Sequence, residues 1–145
     1  MKIIMVSVIF LLISCSLYAA DDYTAVLHMA SYHPSSRNYN EVNPGIGVRI
    51  TEKNTFLSFG GYKNSLGRAS IYAGGGMQLL QIEAVDFNLV AGVVSGYQVL
   101  IAPFLMPEVG INFGAAKLLI NYMPHIKYRD FKADAAFGIS IAVPF

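Results

Sequence analysis

Histidine and serine are the residues of this chain with the most specific chemistry, and they gather in three segments with other polar groups. His28, His33, Ser35, Arg37, Tyr39, Asn40 and Glu41 form the first. Asn64, Ser65, Arg68 and Ser70 form the second, and His125, Lys127, Arg129 and Asp130 the third. An imidazole beside a hydroxyl can take its proton, and the freed oxygen can attack an ester carbonyl; this is the elementary step of acyl transfer. The same residues have a plainer use, because Ser and Asn are ordinary turn formers. Spacing alone does not choose between the two. Three histidines without helical or hairpin ligand spacing make no recognisable metal site, and no cofactor is expected.

Composition says what kind of scaffold must hold these groups. The 145 residues suffice for one domain. They are 54% hydrophobic and only 13% charged, with mean hydropathy +0.49, which is too apolar for an ordinary soluble domain. Yet beyond the first twenty residues no apolar run reaches the ~18 that a membrane helix needs. A lipid-facing chain without a spanning helix must pair its backbone between strands and close on itself as a barrel. The net charge of +1 gives no attraction to nucleic acid.

The first residues have a separate character. Met1 and Lys2 precede an apolar stretch from Ile3 to Ile13, and small residues follow up to Ala19 and Ala20. Such a segment has the length and shape of a secretory signal. Residues 1–19 are therefore expected to be a cleaved signal peptide and residues 20–145 the barrel domain. Leu12-Ile13-Ser14-Cys15 also resembles a lipoprotein signal, and that alternative stays open. Cleavage after Ala19 would leave no cysteine, and so neither disulfide nor thiol chemistry.

Alternation and turn signals predict eight strands, at about Tyr23–Tyr32, Gly45–Thr51, Thr55–Tyr62, Ala69–Leu79, Phe87–Tyr97, Glu108–Phe113, Lys117–Met123 and Ala133–Phe145. The fold class is thus an all-β, eight-stranded antiparallel transmembrane β-barrel. In the last strand Phe137, Ile139, Ile141, Val143 and Phe145 alternate with Gly138, Ser140, Ala142 and Pro144. The large set would face lipid and the small set a narrow lumen. In the fourth, Ser70, Tyr72, Gly74, Gly76 and Gln78 share one face, and this small and polar set belongs inside. Short connections alternate with longer ones at 33–44, 98–107 and 124–132, as short periplasmic turns and longer external loops would. A terminal aromatic such as Phe145 resembles the signal read by the barrel-assembly machinery.

Several segments carry a resemblance. Arg37-Asn38-Tyr39-Asn40-Glu41 leads to Pro44 and a Gly-rich strand; Tyr62-Lys63-Asn64-Ser65 and Tyr72-Ala73-Gly74-Gly75-Gly76 follow; then come Phe87 to Gly96, Pro103 and Pro107 before Val109-Gly110, and Tyr122-Met123-Pro124. In order and spacing these are similar to the lipid A palmitoyltransferase (PagP) family of eight-stranded outer-membrane barrels. The resemblance spans most of residues 20–145. It implies an outer-membrane phospholipid:lipid A acyltransferase, with a palmitate-like chain moved from a phospholipid donor to a lipid A acceptor.

Carried over position by position, the resemblance makes Ser65 the catalytic serine and His28 the catalytic histidine, with His33 as a substitute for His28. Asn64 stands where the family has aspartate; it cannot be a general base but can orient an imidazole by hydrogen bonding. Gly76 falls at the position that measures the acyl chain. Apart from the resemblance, Arg37, Arg68 and Arg129, with Tyr39, are candidates to hold lipid phosphates, although exposed rim arginines often do nothing specific. By the resemblance, Pro44, Pro103, Pro107 and Pro124 would open gaps through which lipid tails enter. Proline donates nothing to a strand ladder; without the resemblance these four simply end strands. The chain also departs from the family: it has no Trp, and it leaves no room for a helix before the first strand. The expected partners are outer-membrane lipids and the assembly machinery, the expected state a monomer. The residues leave a second reading, a non-catalytic small barrel with a structural or loop-mediated binding role.

Overall fold

The computed structural model describes residues 22–35, 37–128 and 131–145. The signal segment, Cys15, Arg129 and Asp130 lie outside them. The strands are β1 (Asp22–Tyr32), β2 (Val42–Glu52), β3 (Thr55–Lys63), β4 (Ala69–Ile82), β5 (Val85–Ser95), β6 (Ile101–Phe113), β7 (Ala116–Met123), β8 (Ile126–Tyr128), β9 (Phe131–Ala133) and β10 (Ala136–Pro144). Eight of them close an antiparallel barrel in the order β1-β10-β7-β6-β5-β4-β3-β2, while β8 and β9 form a separate small hairpin. Closure gives every strand of the ring two neighbours over at least part of its length.

Both described ends lie at one rim, with three two-residue turns: Lys53-Asn54, Glu83-Ala84 and Gly114-Ala115. Lys53, Glu83 and Gly114 have positive φ (53°, 52° and 64°), the left-handed conformation that tight hairpins use. All four longer loops lie at the opposite rim, which the barrel convention makes the external one.

The register carries the predicted alternation. Val26, Val90, Val94, Phe104, Leu119 and Ala142 are buried inward, whereas Leu27, Ile46, Ile71, Met77, Leu105 and Ile139 are exposed outward. Arg49, Asp86, Glu108 and Lys117 are paired with one another inside the barrel. On a lipid face each such charge would cost about 2–4 kcal/mol near the bilayer centre. Tyr32, Phe137 and Tyr122 stand in one register row across β1, β10 and β7, and Tyr23 meets Phe145 near the other rim. From Tyr23 to Tyr32 the chain runs about 30 Å along the strand. A tilt of ~40° leaves about 23 Å of height, close to the ~25 Å apolar band of transmembrane barrels.

Three segments differ from the sequence-based expectation: β2 starts at Val42, not Gly45, so Pro44 lies within it at the register slip opposite β1, and two further changes come later in the chain. β6 begins at Ile101, not Glu108, so Pro103 and Pro107 lie within a strand and the loop before it is only 96–100. The last segment divides: Ala133 belongs to β9, opposite Ile126, and β10 starts at Ala136. The physical reason for the early start of β6 is on the other side of that strand. Its residues pair with β5 from Ile101 to Ile111, but with β7 only from Glu108 (opposite Asn121) to Phe113. Above Glu108 the strand has one neighbour, and there proline removes little.

Candidate site in the external half of the lumen

His28 is the centre of the site. It faces inward from β1, opposite Ser140 of β10 and Gly45 of β2, just before a register slip between His28 and Ala30. Its Nδ1 lies 3.1 Å from Ser140 Oγ and its Nε2 3.0 Å from the Tyr72 hydroxyl. The ring meets Tyr72 edge-on at 5.3 Å and Tyr62 at 5.4 Å. Both nitrogens are thus committed, and the imidazole has one orientation. Gly47 makes this possible: a Cβ there would collide with the Tyr72 hydroxyl. Toward the external rim the Tyr62 and Tyr97 hydroxyls are 3.0 Å apart. Burial pushes the Tyr97 phenol above its ordinary value, and its bonds to Tyr62 and Ser65 offset part of that.

Around these groups is a cavity of about 210 Å³. Val26, Val90, Val94, Phe104, Met106 and Leu119 give it an apolar wall, and His28, Ser65, Tyr72, Asn121 and Ser140 are among its polar lining residues. Pro103 lines it where β6 has lost β7 as a partner. Its floor is an ion pair. Arg49 Nη1 and Nη2 donate to Glu108 Oε1 and Oε2 at 2.9 and 3.0 Å, and Asn88 Nδ2 donates to Oε1 at 3.2 Å. The Arg49 guanidinium also lies 4.0 Å over the Phe56 ring. Below this layer a polar chamber of about 290 Å³ holds the Asp86–Lys117 pair.

The rim is tied by one carboxylate. Asp134 accepts from the Tyr39 hydroxyl at 2.8 Å and lies 3.4 Å from Arg37 Nε and 3.6 Å from His125 Nδ1. It thereby links the loop after β1 to the segment before β10. The Tyr39 hydrogen bond, with Arg37 and Lys132 nearby, holds the Asp134 carboxyl below its ordinary value. His33 stacks on Tyr39 at 4.2 Å, and its backbone N–H donates to Glu41 at 3.2 Å. Burial lowers the His33 pKa, with Glu41 and Asp134 pulling the other way.

The sequence candidates are distributed unevenly over this geometry. His28, His33, Tyr39, Ser65 and Pro103 line the cavity. Asn64 is fully buried, and its side chain ties its own loop to β4 and to the loop after β5. Its Nδ2 donates to Ser70 Oγ (2.9 Å) and Gly96 O (2.8 Å), and its Oδ1 accepts from the N–H groups of Leu66 (2.9 Å) and Arg68 (3.0 Å). The groups that orient His28 are Tyr72 and Ser140. This also explains an amide at position 64, since a carboxylate would face the Gly96 carbonyl. Gly76 faces inward beneath the cavity, with the Phe56 ring against it; Gly74 and Gly138 are the glycines on the cavity wall. Arg37 is engaged by Asp134, and Arg68 is exposed outside the cavity. Pro44 lies at the β1–β2 slip, Pro107 where the β6–β7 ladder stops, and Pro124 just beyond β7. Among the described residues no three His, Cys, Asp or Glu side chains gather as metal ligands.

Sequence reasoning did not single out Ser140, Tyr72, Arg49, Glu108 or Asp134 for the site. Two signals pointed that way. Ser140 and Tyr72 sit on the faces that alternation assigns to the lumen, and a lone charge within an apolar strand, as in Val48-Arg49-Ile50, belongs inside a barrel.

No family model and no curated protein matches the chain. Among solved structures it is similar to the solution NMR structure of the de novo designed barrel TMB2.3, with a TM-score of 0.64 at 11% identity, over 88% of this chain and 96% of that one. With the apolar exterior and charged interior, this defines the class: a closed eight-stranded antiparallel β-barrel of the transmembrane type. A likeness at this identity speaks for the fold alone.

Proposed function

We propose that the chain is an outer-membrane acyltransferase that moves a fatty acyl chain from a phospholipid to lipid A, after export by an N-terminal signal peptide. The observation that carries this reading is the cavity: a partly apolar space, floored by Arg49 and Glu108, in which Ser140 and Tyr72 hold the His28 imidazole in one orientation. A lipid ester could place its chain among Val90, Val94 and Phe104 while its carbonyl reaches His28. His28 then serves as general base. The parting of β6 from β7 at Pro103 and Pro107 supports entry of a chain from the bilayer side, the role the resemblance implies for these prolines. Ser65 lines the same cavity and remains the serine the resemblance favours. Gly76 with the Phe56 ring against it forms the level beneath the chain.

The test is mass spectrometry of lipid A from cells that express the chain, its His28→Asn variant or neither. Addition of one acyl chain with the wild-type protein alone supports the reading. An unchanged spectrum from cells whose outer membrane holds the folded barrel overturns it and favours a binding or structural barrel.

A further inference from the structure

Resting on the acyltransferase reading of this cavity, we infer that Ser140 is the nucleophile and carries the acyl group as a covalent intermediate. Four observations lead there. Ser140 Oγ is hydrogen-bonded to His28 Nδ1 at 3.1 Å across the β1–β10 pair. The Tyr72 hydroxyl holds the opposite nitrogen at 3.0 Å, so the imidazole is aimed at Ser140. The hydroxyl lines the cavity although the residue is only 3% exposed. Ser65, by contrast, is on a loop and bonds Tyr97, and both nitrogens of His28 are already committed elsewhere. A nucleophile needs its base within hydrogen-bond reach and the base held by a third group; Ser140, His28 and Tyr72 meet that condition on three rigid strands.

With His28 protonated at Nε2 and donating to the Tyr72 oxygen, Nδ1 is free to accept. The Ser140 proton passes to Nδ1 as Oγ bonds to the ester carbonyl carbon, whose π electrons move to oxygen. Asn121, register partner of Gly138 on the adjoining strand, brings an amide donor to the same cavity wall for that oxyanion. Collapse restores the carbonyl and breaks the bond to the glycerol oxygen, which takes the proton from His28 and leaves as lysophospholipid. In the second half an acceptor hydroxyl gives its proton to His28 and attacks the Ser140 ester. Ser140 leaves and recovers that proton. Nothing beyond donor and acceptor is consumed.

The experiment uses the folded full-length mature protein in detergent with a dodecyl fluorophosphonate, which phosphonylates an activated serine irreversibly with loss of fluoride. Peptide mapping is expected to find the adduct on Ser140. Labelling should vanish in Ser140→Ala and slow at least tenfold in His28→Asn, with folding of each variant checked by its heat-dependent gel mobility. An adduct on Ser65, or none on any serine, overturns the inference. Lipid A acylation is assayed on the same preparations. Acylation that survives Ser140→Ala overturns the nucleophile and spares the acyltransferase, whereas a labelled Ser140 in a protein that acylates no lipid upholds the nucleophile and overturns the lipid reaction.

Discussion

The two halves of the barrel interior are built from the same strands and do opposite things. In the turn-side half the β6–β7 ladder is intact, and charge pairs line the space: Arg49 with Glu108, and Lys117 with Asp86. In the external half β6 loses its β7 neighbour above Glu108, much of the wall is apolar, and hydroxyls, amides and the imidazoles of His28 and His33 line the rest. The difference teaches how a small barrel reconciles stability with a cavity. The turn-side half holds the buried ion pairs, and the external half holds the oriented imidazole. Buried ion pairs add little net stability but are costly to break, which suits a floor that has to stay shut.

Breaking the comparison on the external side gives the largest effect. His28→Asn should lower acyl transfer by about 10²–10⁴-fold, the usual worth of a general base, with the barrel still folded; turnover measured on purified lipids checks this. On the side of the short turns, Arg49→Met should leave Glu108 buried without its partner and reduce unfolding stability by about 3–5 kcal/mol. Urea titration of the refolded barrel reads that loss, and adding Glu108→Leu should recover most of it.

Smaller changes sharpen the boundary between the halves. Tyr72→Phe removes the hydrogen bond to an imidazole that becomes charged during reaction, worth about 1.5–3 kcal/mol. Turnover should fall by about 10–150-fold, with little change in stability. Gly76→Ala should push Phe56 toward the cavity and shift the transferred chains to shorter lengths, read in the lipid A mass profile. The smallest effect is at the rim. Burial lowers the His33 pKa below its ordinary 6.5, so the unfolded or open state binds more protons just under that value. Stability of the rim is therefore full above pH 6.5 and declines as pH falls toward the lower folded value. Proteolysis of the loop at 33–41 should accelerate across that interval, and His33→Gln should flatten the dependence.

The strands were legible because a barrel wall imposes a period of two. The faces of β4 and β10 follow directly from Ser70, Tyr72 and Gly74 and from Phe137, Ile139 and Ile141. The start of β6 was not, because Pro103 and Pro107 look like loop residues until the missing β7 neighbour is known. The site was legible in its histidine but not in its partners. Ser140 is 112 residues from His28 and Tyr72 is 44; only ring closure brings β10 beside β1 and places Tyr72 across the lumen. Asn64 taught the reverse. A residue next to a candidate serine can be committed wholly to joining loops, as Asn64 is to Leu66, Arg68, Ser70 and Gly96.

The most direct test of the divided lumen is an NMR experiment in micelles of a detergent with a uniformly ¹³C-labelled acyl chain. The account predicts intermolecular contacts from the chain to Val90, Val94, Phe104 and Leu119 inside the external half, and none to Asn88 or Lys117 below the Arg49–Glu108 layer. Chain contacts confined to outward residues such as Ile71 and Leu105, with none inside, would contradict it.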